Sequence, residues 1–253
     1  MKVLVGSTGL VGSTLKDTIK FDYEFNSKNI HTFIDEVPDG CELWLSCLPA
    51  TKWLVNQNLK QDMENIIKIL TILKYKTYSR VILISTIDVY NESPMLCDED
   101  YKPNVGGLSY GNNRLMFEYL IDKFLTKEDY KIYRLPALFN KKIKKNILFD
   151  LMNDNNVESI NRNSYFQWYN LDNLHKFILD TVETNRTVFN VFTEPLRSLE
   201  IVNLFPQHKD KIKYMEGGVT YDYKTKYSQT GYIQSADEVL KEIKNLVNEF
   251  GRK

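Results

Sequence analysis

Tyr110 and Arg114 stand four residues apart, Thr86 ends an apolar run, and Gly6, Gly9 and Gly12 recur every three residues near the N-terminus. These are the residues whose types and spacing carry chemistry. On a helix, positions four apart share a face. A phenol beside a fixed cation loses its proton more easily, because the positive charge favours phenolate. A threonine hydroxyl that meets such a phenol makes a pair able to hold one carbonyl or alcohol oxygen and exchange a proton with it. Glycines three apart at a strand-to-helix turn let the backbone bend sharply and come close to a pyrophosphate. The helix start then offers free N–H groups and the positive end of its dipole to the phosphates. The turn Gly6-Ser7-Thr8-Gly9-Leu10-Val11-Gly12 is therefore assigned to dinucleotide binding.

These groups need a scaffold, and the rest of the chain supplies an alternation of strands and helices. Strands are expected at 3–5, 23–26, 42–47, 80–85 and 131–135, the last stopped by Pro136. Helices are expected at 13–20, 52–75 and 109–124, with Ile66, Ile67, Leu70 and Leu73 as the apolar stripe of the second. Residues 30–37 leave room only for a connector, so one βα unit is condensed or missing between the second and third strands. Beyond 140 the signals mix: helices at 147–152, 171–184 and 235–250, and strands at 165–170 and 188–192. Strands separated by helices imply an α/β fold with a Rossmann-like, doubly wound parallel sheet. The expected organisation is a dinucleotide-binding core over 1–140. A small C-terminal substrate lobe over 141–253 intertwines with its last strands and helices as one continuous unit.

In a parallel sheet, ligands lie beyond the carboxyl ends of the strands. That places Ser85 at the cofactor and Thr86 and Asp88 at the substrate. Cys47, Leu48 and Pro49 follow the third strand where it opens toward the cofactor, and Cys47 reads as a small buried side chain instead of a nucleophile. Trp44 and Trp53 read as core and rim packing. Asn26, Ser27 and Lys28 occupy the turn after the second strand. A hydroxyl and a cation there suit a 2′-phosphate, which points to NADP in preference to NAD; the alternative is a solvated turn lysine.

Composition narrows the class. Lys plus Arg equal Asp plus Glu at 33 each in 253 residues, so no net field recruits nucleic acid or an acidic membrane surface. Cys41, Cys47 and Cys97 are odd in number and scattered, which argues for a reducing compartment. His31, His175 and His208 lack metal-ligand spacing, so no metal site is expected. The first strand begins within a few residues of Met1 and no apolar run is long enough for a bilayer, which reads as a cytoplasmic protein.

The glycine turn, the strand end Ser85-Thr86-Ile87-Asp88-Val89-Tyr90 and the Tyr110-x-x-x-Arg114 helix together resemble the short-chain dehydrogenase/reductase superfamily. The closer likeness is to its extended branch of nucleotide-sugar epimerases, dehydratases and reductases. The resemblance implies Thr86 as the catalytic hydroxyl and Tyr110 as the acid/base. Arg114 stands where the family carries lysine, which binds the nicotinamide ribose and lowers the tyrosine pKa. It likewise implies Pro136 and Leu138 beside the nicotinamide. Lys145, Asn146 and Gln167 fall at the substrate, with Phe166-Gln167 where the family has Arg-Asp. The expected function is NAD(P)-dependent hydride transfer, as a reductase, epimerase or dehydratase, on a nucleotide-sugar or similar keto/hydroxy substrate. The alternative is a dinucleotide-binding scaffold or redox-sensing regulator without turnover. A homodimer through the Tyr110 helix and the 52–75 helix would fit the family.

Overall fold

The computed structural model describes residues 1–90, 93–125 and 129–251. In chain order its strands and helices are β1 (Lys2–Val5), α1 (Leu10–Leu15), β2 (Tyr23–Phe25), α2 (Phe33–Glu36), β3 (Cys41–Leu45), α3 (Lys52–Gln57), α4 (Leu59–Leu73), β4 (Tyr78–Thr86), α5 (Tyr110–Phe124) and β5 (Tyr130–Leu135). There follow β6 (Ala137–Phe139), α6 (Ile147–Asn153), β7 (Tyr165–Phe166), β8 (Trp168–Asn170), α7 (Leu174–Thr181), β9 (Val188–Asn190), β10 (Leu196–Arg197), α8 (Ser198–Val202) and α9 (Ala236–Phe250).

Six strands form one parallel sheet in the order β2-β1-β3-β4-β5-β9. The expected α/β, doubly wound architecture is present. Register explains why its central strands read as unbroken apolar runs. Val3 pairs with Leu43 and Leu43 with Val81, while Leu4 pairs with Trp44 and Trp44 with Ile82. All six side chains are buried, so both faces of the sheet are covered. Val3, Leu43 and Val81 belong to a core shared with Phe33 of α2, Ile66, Leu70 and Leu73 of α4, and Phe117 and Ile121 of α5. Each such side chain contributes about 1.5–3 kcal/mol on burial.

Between β2 and β3 the chain makes only a 3-10 turn at Ile30–Thr32 and the single turn of α2. The condensed βα unit is real, and β2 is left at the sheet edge. From β2 the chain crosses back over β1 to β3, so strand order reverses between β1 and β3, the place where open α/β sheets bind ligands.

Several boundaries differ from the sequence reading, each for a local reason. The helix expected at 13–20 starts earlier, at Leu10 inside the glycine turn. The helix expected over 52–75 is two helices, interrupted at Asn58 (φ −146°, ψ 63°), whose side chain accepts from Gln61 N and caps α4. Its buried stripe is Asp62, Ile66, Leu70 and Leu73, and Ile67 points outward. The strand expected over 165–170 breaks at Gln167: β7 pairs antiparallel with β10, and β8 parallel with β6. The helix expected over 171–184 ends at Thr181, whose hydroxyl bonds back to Phe177 O at 2.7 Å.

The chain forms two compact units, one from residues 1–94, 100–134 and 174–189, the other from 95–99, 135–173 and 190–253. The division falls after Arg134 where the sequence reading set it after 140, and α7 with most of β9 returns to the first unit. In the second unit, Ser235 and Glu238 form a capping box that starts α9, which buries Val239 and Ile243.

Candidate active site

At the end of β1, Gly6 adopts φ +100°, and a Cβ there would lie 2.3 Å from Ser46 O. A Cβ on Gly12 would lie 2.2 Å from Gly6 O. Both glycines are therefore demanded by the turn itself, which packs α1 against the ends of β1 and β3. Gly9 is different: its φ is −69° and a Cβ there would make only ordinary contacts. Thr8 and Gly9 are exposed, Leu10 and Val11 half-buried, and Ser7 buried, its N–H on Phe25 O. No side chain caps α1 and no acidic residue sits in its first turn. The first N–H groups of α1 are thus left for an anion.

Thr86 ends β4 and Tyr110 starts α5, and the threonine hydroxyl is among the groups that favour ionisation of the phenol. The start of α5 is fixed by Ser109, which caps it, and by Tyr110 N–H donating to Asn56 Oδ1 at 2.8 Å. Asp88 N–H donates to Thr86 Oγ1 at 3.2 Å, and Thr86 Oγ1 donates to Asp88 Oδ2 at 3.3 Å. Lys52, the first residue of α3, reaches Asp88 Oδ1 at 2.6 Å. Sequence reasoning missed Lys52; its only signal was a cation at the start of a helix that follows β3.

Arg114 does stack on Tyr110, its guanidinium carbon 4.5 Å from the ring centroid. Its remaining contacts correct the expectation of a ribose ligand. Nη1 donates to Asp62 Oδ2 at 2.7 Å, and Nη2 to Asp62 Oδ1 at 3.0 Å and Pro49 O at 2.6 Å. Arg114 and Asp62 are 5% and 4% exposed, and Asn113 adds a third bond to the same carboxylate. Asp62 was also missed, because an acid within an amphipathic helix reads as solvated until its position on the buried stripe is known. The expected fall in the Tyr110 pKa is reversed. Burial pushes the phenol up, against the smaller lowering effect of Arg114, and Asp88 pushes it further in the same direction.

Ser85 faces elsewhere. Its hydroxyl donates to Glu118, which receives Arg134 Nη2 at 2.7 Å, while Arg134 Nη1 donates to Tyr90 OH at 2.7 Å. This buried set ties β4, α5 and β5 together. Cys47 and Leu48 are half-buried, and burial pushes the Cys47 thiol up to about 12. Trp44 is buried and Trp53 is exposed. In the turn after β2, Asn26 Oδ1 accepts from Lys28 N at 2.9 Å, leaving Ser27 and Lys28 exposed. Glu24 lies within β2 and pairs with Lys16.

In the second unit, Pro136 is buried and separates β5 from β6, and Leu138 is half-buried. Leu138 O accepts from Asn146 Nδ2 at 2.9 Å. Asn146 also caps α6, from an unusual φ of +101°, by accepting from Phe149 N. Both ends of its amide are thus engaged. Lys145 is exposed, and the desolvation of its ammonium lowers its pKa. Gln167 is 1% exposed. Its amide donates to Thr193 O and Tyr223 O and accepts from Tyr223 N, so it joins backbone segments and has no face for a substrate.

The sheet order, the glycine turn at the reversal point and the hydroxyl pair beyond β4 define a doubly wound, Rossmann-like α/β protein. Among solved structures, MoeE5 in complex with UDP-glucose and NAD matches with a TM-score of 0.75 at 14% identity, covering 99% of this chain and 98% of that one. A dTDP-4-dehydrorhamnose reductase from Clostridium acetobutylicum matches at 0.71 and 15%, covering 99% and 100%. The UDP-glucuronic acid 4-epimerase from Bacillus cereus, in complex with UDP-glucuronic acid and NAD, matches at 0.69 and 15%, covering 98% and 99%. At these identities the likeness establishes the fold. No protein-family model and no curated protein sequence matches the chain. Among the described residues, no helix is long and apolar enough to cross a membrane.

Proposed function

We propose that the chain is an NAD(P)-dependent enzyme of the extended short-chain dehydrogenase/reductase type, a reductase, epimerase or dehydratase acting on a nucleotide-sugar. The observation that carries this reading is the Thr86–Tyr110 hydroxyl pair at the end of β4, in the sheet whose β1 ends in the glycine turn. The neighbours of the same fold that bind UDP-sugars with NAD support the substrate and cofactor class.

The chain's own residues fit a dinucleotide. The uncapped start of α1 and the exposed Thr8 and Gly9 suit a pyrophosphate. When bound, the nicotinamide supplies or accepts hydride at the substrate carbon. Thr86 holds the substrate oxygen, and Tyr110 gives or takes its proton. Arg114 keeps the Tyr110 ring in place, with its own charge balanced by Asp62. Of the two cofactors, NADP is favoured by Ser27 and Lys28, exposed after β2, and NAD by its presence in the neighbours. Exposed Ile67 on α4, with Tyr119 and Phe124 on α5, leaves apolar surface for a homodimer, which sedimentation would detect.

A second reading, a dinucleotide-binding scaffold or regulator without turnover, is favoured by one observation: Arg114 is committed to Asp62 and Pro49 O. Titration calorimetry with NADH and NADPH, followed by hydride exchange against 4-keto and 4-hydroxy nucleotide-sugars, separates the two. Tight binding with exchange supports the enzyme; tight binding without exchange on any of them supports the scaffold.

A further inference from the structure

The guanidinium of Arg114 is held from three sides. Asp62 of α4 accepts from Nη1 at 2.7 Å and from Nη2 at 3.0 Å, and Pro49 O accepts from Nη2 at 2.6 Å. On the third side lies the ring of Tyr110, its centroid 4.5 Å from the guanidinium carbon. Asn113 donates to the same carboxylate at 2.9 Å. Both members of the ion pair are buried, so solvent screens neither charge. At that depth the carboxylate cancels most of the field that the guanidinium would send to a third group. The other charge acting on the phenol is Asp88, on the turn after β4, and Lys52 of α3 pairs with it at 2.6 Å. Each of these cations is thus matched by a carboxylate.

We propose that Asp62, by neutralising Arg114, holds Tyr110 as a proton donor, the form that carbonyl reduction needs. This rests on the reading of Tyr110 as the group that exchanges a proton with a substrate oxygen. A guanidinium stacked on the ring without a counter-charge would favour phenolate. With its charge answered by Asp62, Arg114 fixes the ring and leaves the proton on it. Burial of the phenol works in the same direction. In the reduction, hydride from a reduced nicotinamide bonds to the carbonyl carbon while the C=O π pair moves to oxygen. The Tyr110 O–H bond breaks, its proton bonds to that oxygen, and solvent reprotonates the tyrosinate. Asp62 acts only through Arg114 and is a positioning residue.

The test places a fluorinated tyrosine, whose phenol is more acidic, at position 110 and follows its ionisation by fluorine NMR in the full-length protein. Asp62→Asn should lower the midpoint by about 1 pH unit, because Arg114 then acts unopposed. Removing both charges, Asp62→Leu with Arg114→Met, should leave it within about 0.5 pH unit of the parent, and this comparison stands where Asp62→Asn does not fold. An unmoved or rising midpoint in Asp62→Asn would overturn the proposal. So would a larger rise when both charges are removed, since Arg114 would then have been acting uncancelled. With the natural tyrosine, kcat/KM for reduction of a keto nucleotide-sugar should stay level to about pH 9, and in Asp62→Asn its fall should begin about 1 pH unit lower. Shifted midpoints in a protein that exchanges no hydride would support the control of Tyr110 by Asp62 and remove the enzymatic reading. Hydride exchange with unmoved midpoints would keep that reading and overturn the proposal.

Discussion

Arg114 grips Asp62 with both ends of its guanidinium, 2.7 Å from Nη1 and 3.0 Å from Nη2, and lays the same plane against the ring of Tyr110. A lysine at 114 could reach either the carboxylate or a ribose, but could not present a planar fork to one and a stacking face to the other. The arginine at 114, where the resemblance drawn from the sequence expects lysine, is therefore coupled to an acid on α4. The positive charge that sequence spacing places beside the phenol is largely balanced before it acts there.

Breaking that pair from one side should be costly. Asp62→Ala leaves a buried guanidinium unpaired and is expected to destabilise the protein by about 3–5 kcal/mol in urea unfolding. Replacing both partners, Asp62→Leu with Arg114→Met, should recover most of the loss. A cost below about 1 kcal/mol for Asp62→Ala would show that the pair does not hold α4 to α5.

The glycine turn offers a contrast between two neighbouring positions. Gly9→Val, where a Cβ meets Gly6 O at 3.5 Å, should leave the melting temperature nearly unchanged and abolish dinucleotide binding in calorimetry. Gly12→Ala, where the Cβ would lie 2.2 Å from Gly6 O, should destabilise the fold itself. Unchanged affinity in Gly9→Val would remove the glycine turn as the phosphate site.

Most of the frame was legible because β1, β3 and β4 are covered on both faces and so read as plain apolar runs, and because glycines at 6 and 12 have no alternative. What stayed hidden were the partners of polar residues. Asp62 lies one turn before Ile66 on the buried stripe of α4, but an acid there reads as solvated until its partners Arg114 and Asn113 on α5 are known. Gln167 looked like a substrate ligand because its neighbours match a family segment, yet its amide is consumed by the backbones of Thr193 and Tyr223. Lys52 and Asp88 lie 36 residues apart, and nothing local pairs them.

Cofactor choice is tested at the turn after β2. If Lys28 meets a 2′-phosphate, Lys28→Ala should weaken NADPH by about 1.5–3 kcal/mol in calorimetry and spare NADH. Equal effects on both, or a wild-type preference for NADH, would assign Lys28 to a solvated turn.

The thiols give a pH prediction. Burial pushes Cys41 up to about 11 and Cys47 up to about 12, so at pH 8 their thiolate fractions are roughly one in a thousand and one in ten thousand. In the native protein both should resist iodoacetamide, read by mass spectrometry, and react once the chain is unfolded. Rapid native labelling of Cys47 would contradict the raised pKa of its thiol.

The central claim is that Tyr110, with Thr86, exchanges a proton with a substrate oxygen. Tyr110→Phe keeps the ring that Arg114 stacks on and removes only the hydroxyl. The direct measurement is hydride exchange between a nicotinamide cofactor and a keto nucleotide-sugar, in wild type and Tyr110→Phe, with cofactor affinity measured alongside. The Tyr110→Phe rate should be lower by roughly 10²–10⁴-fold at nearly unchanged cofactor affinity. A Tyr110→Phe rate equal to that of wild type would contradict it.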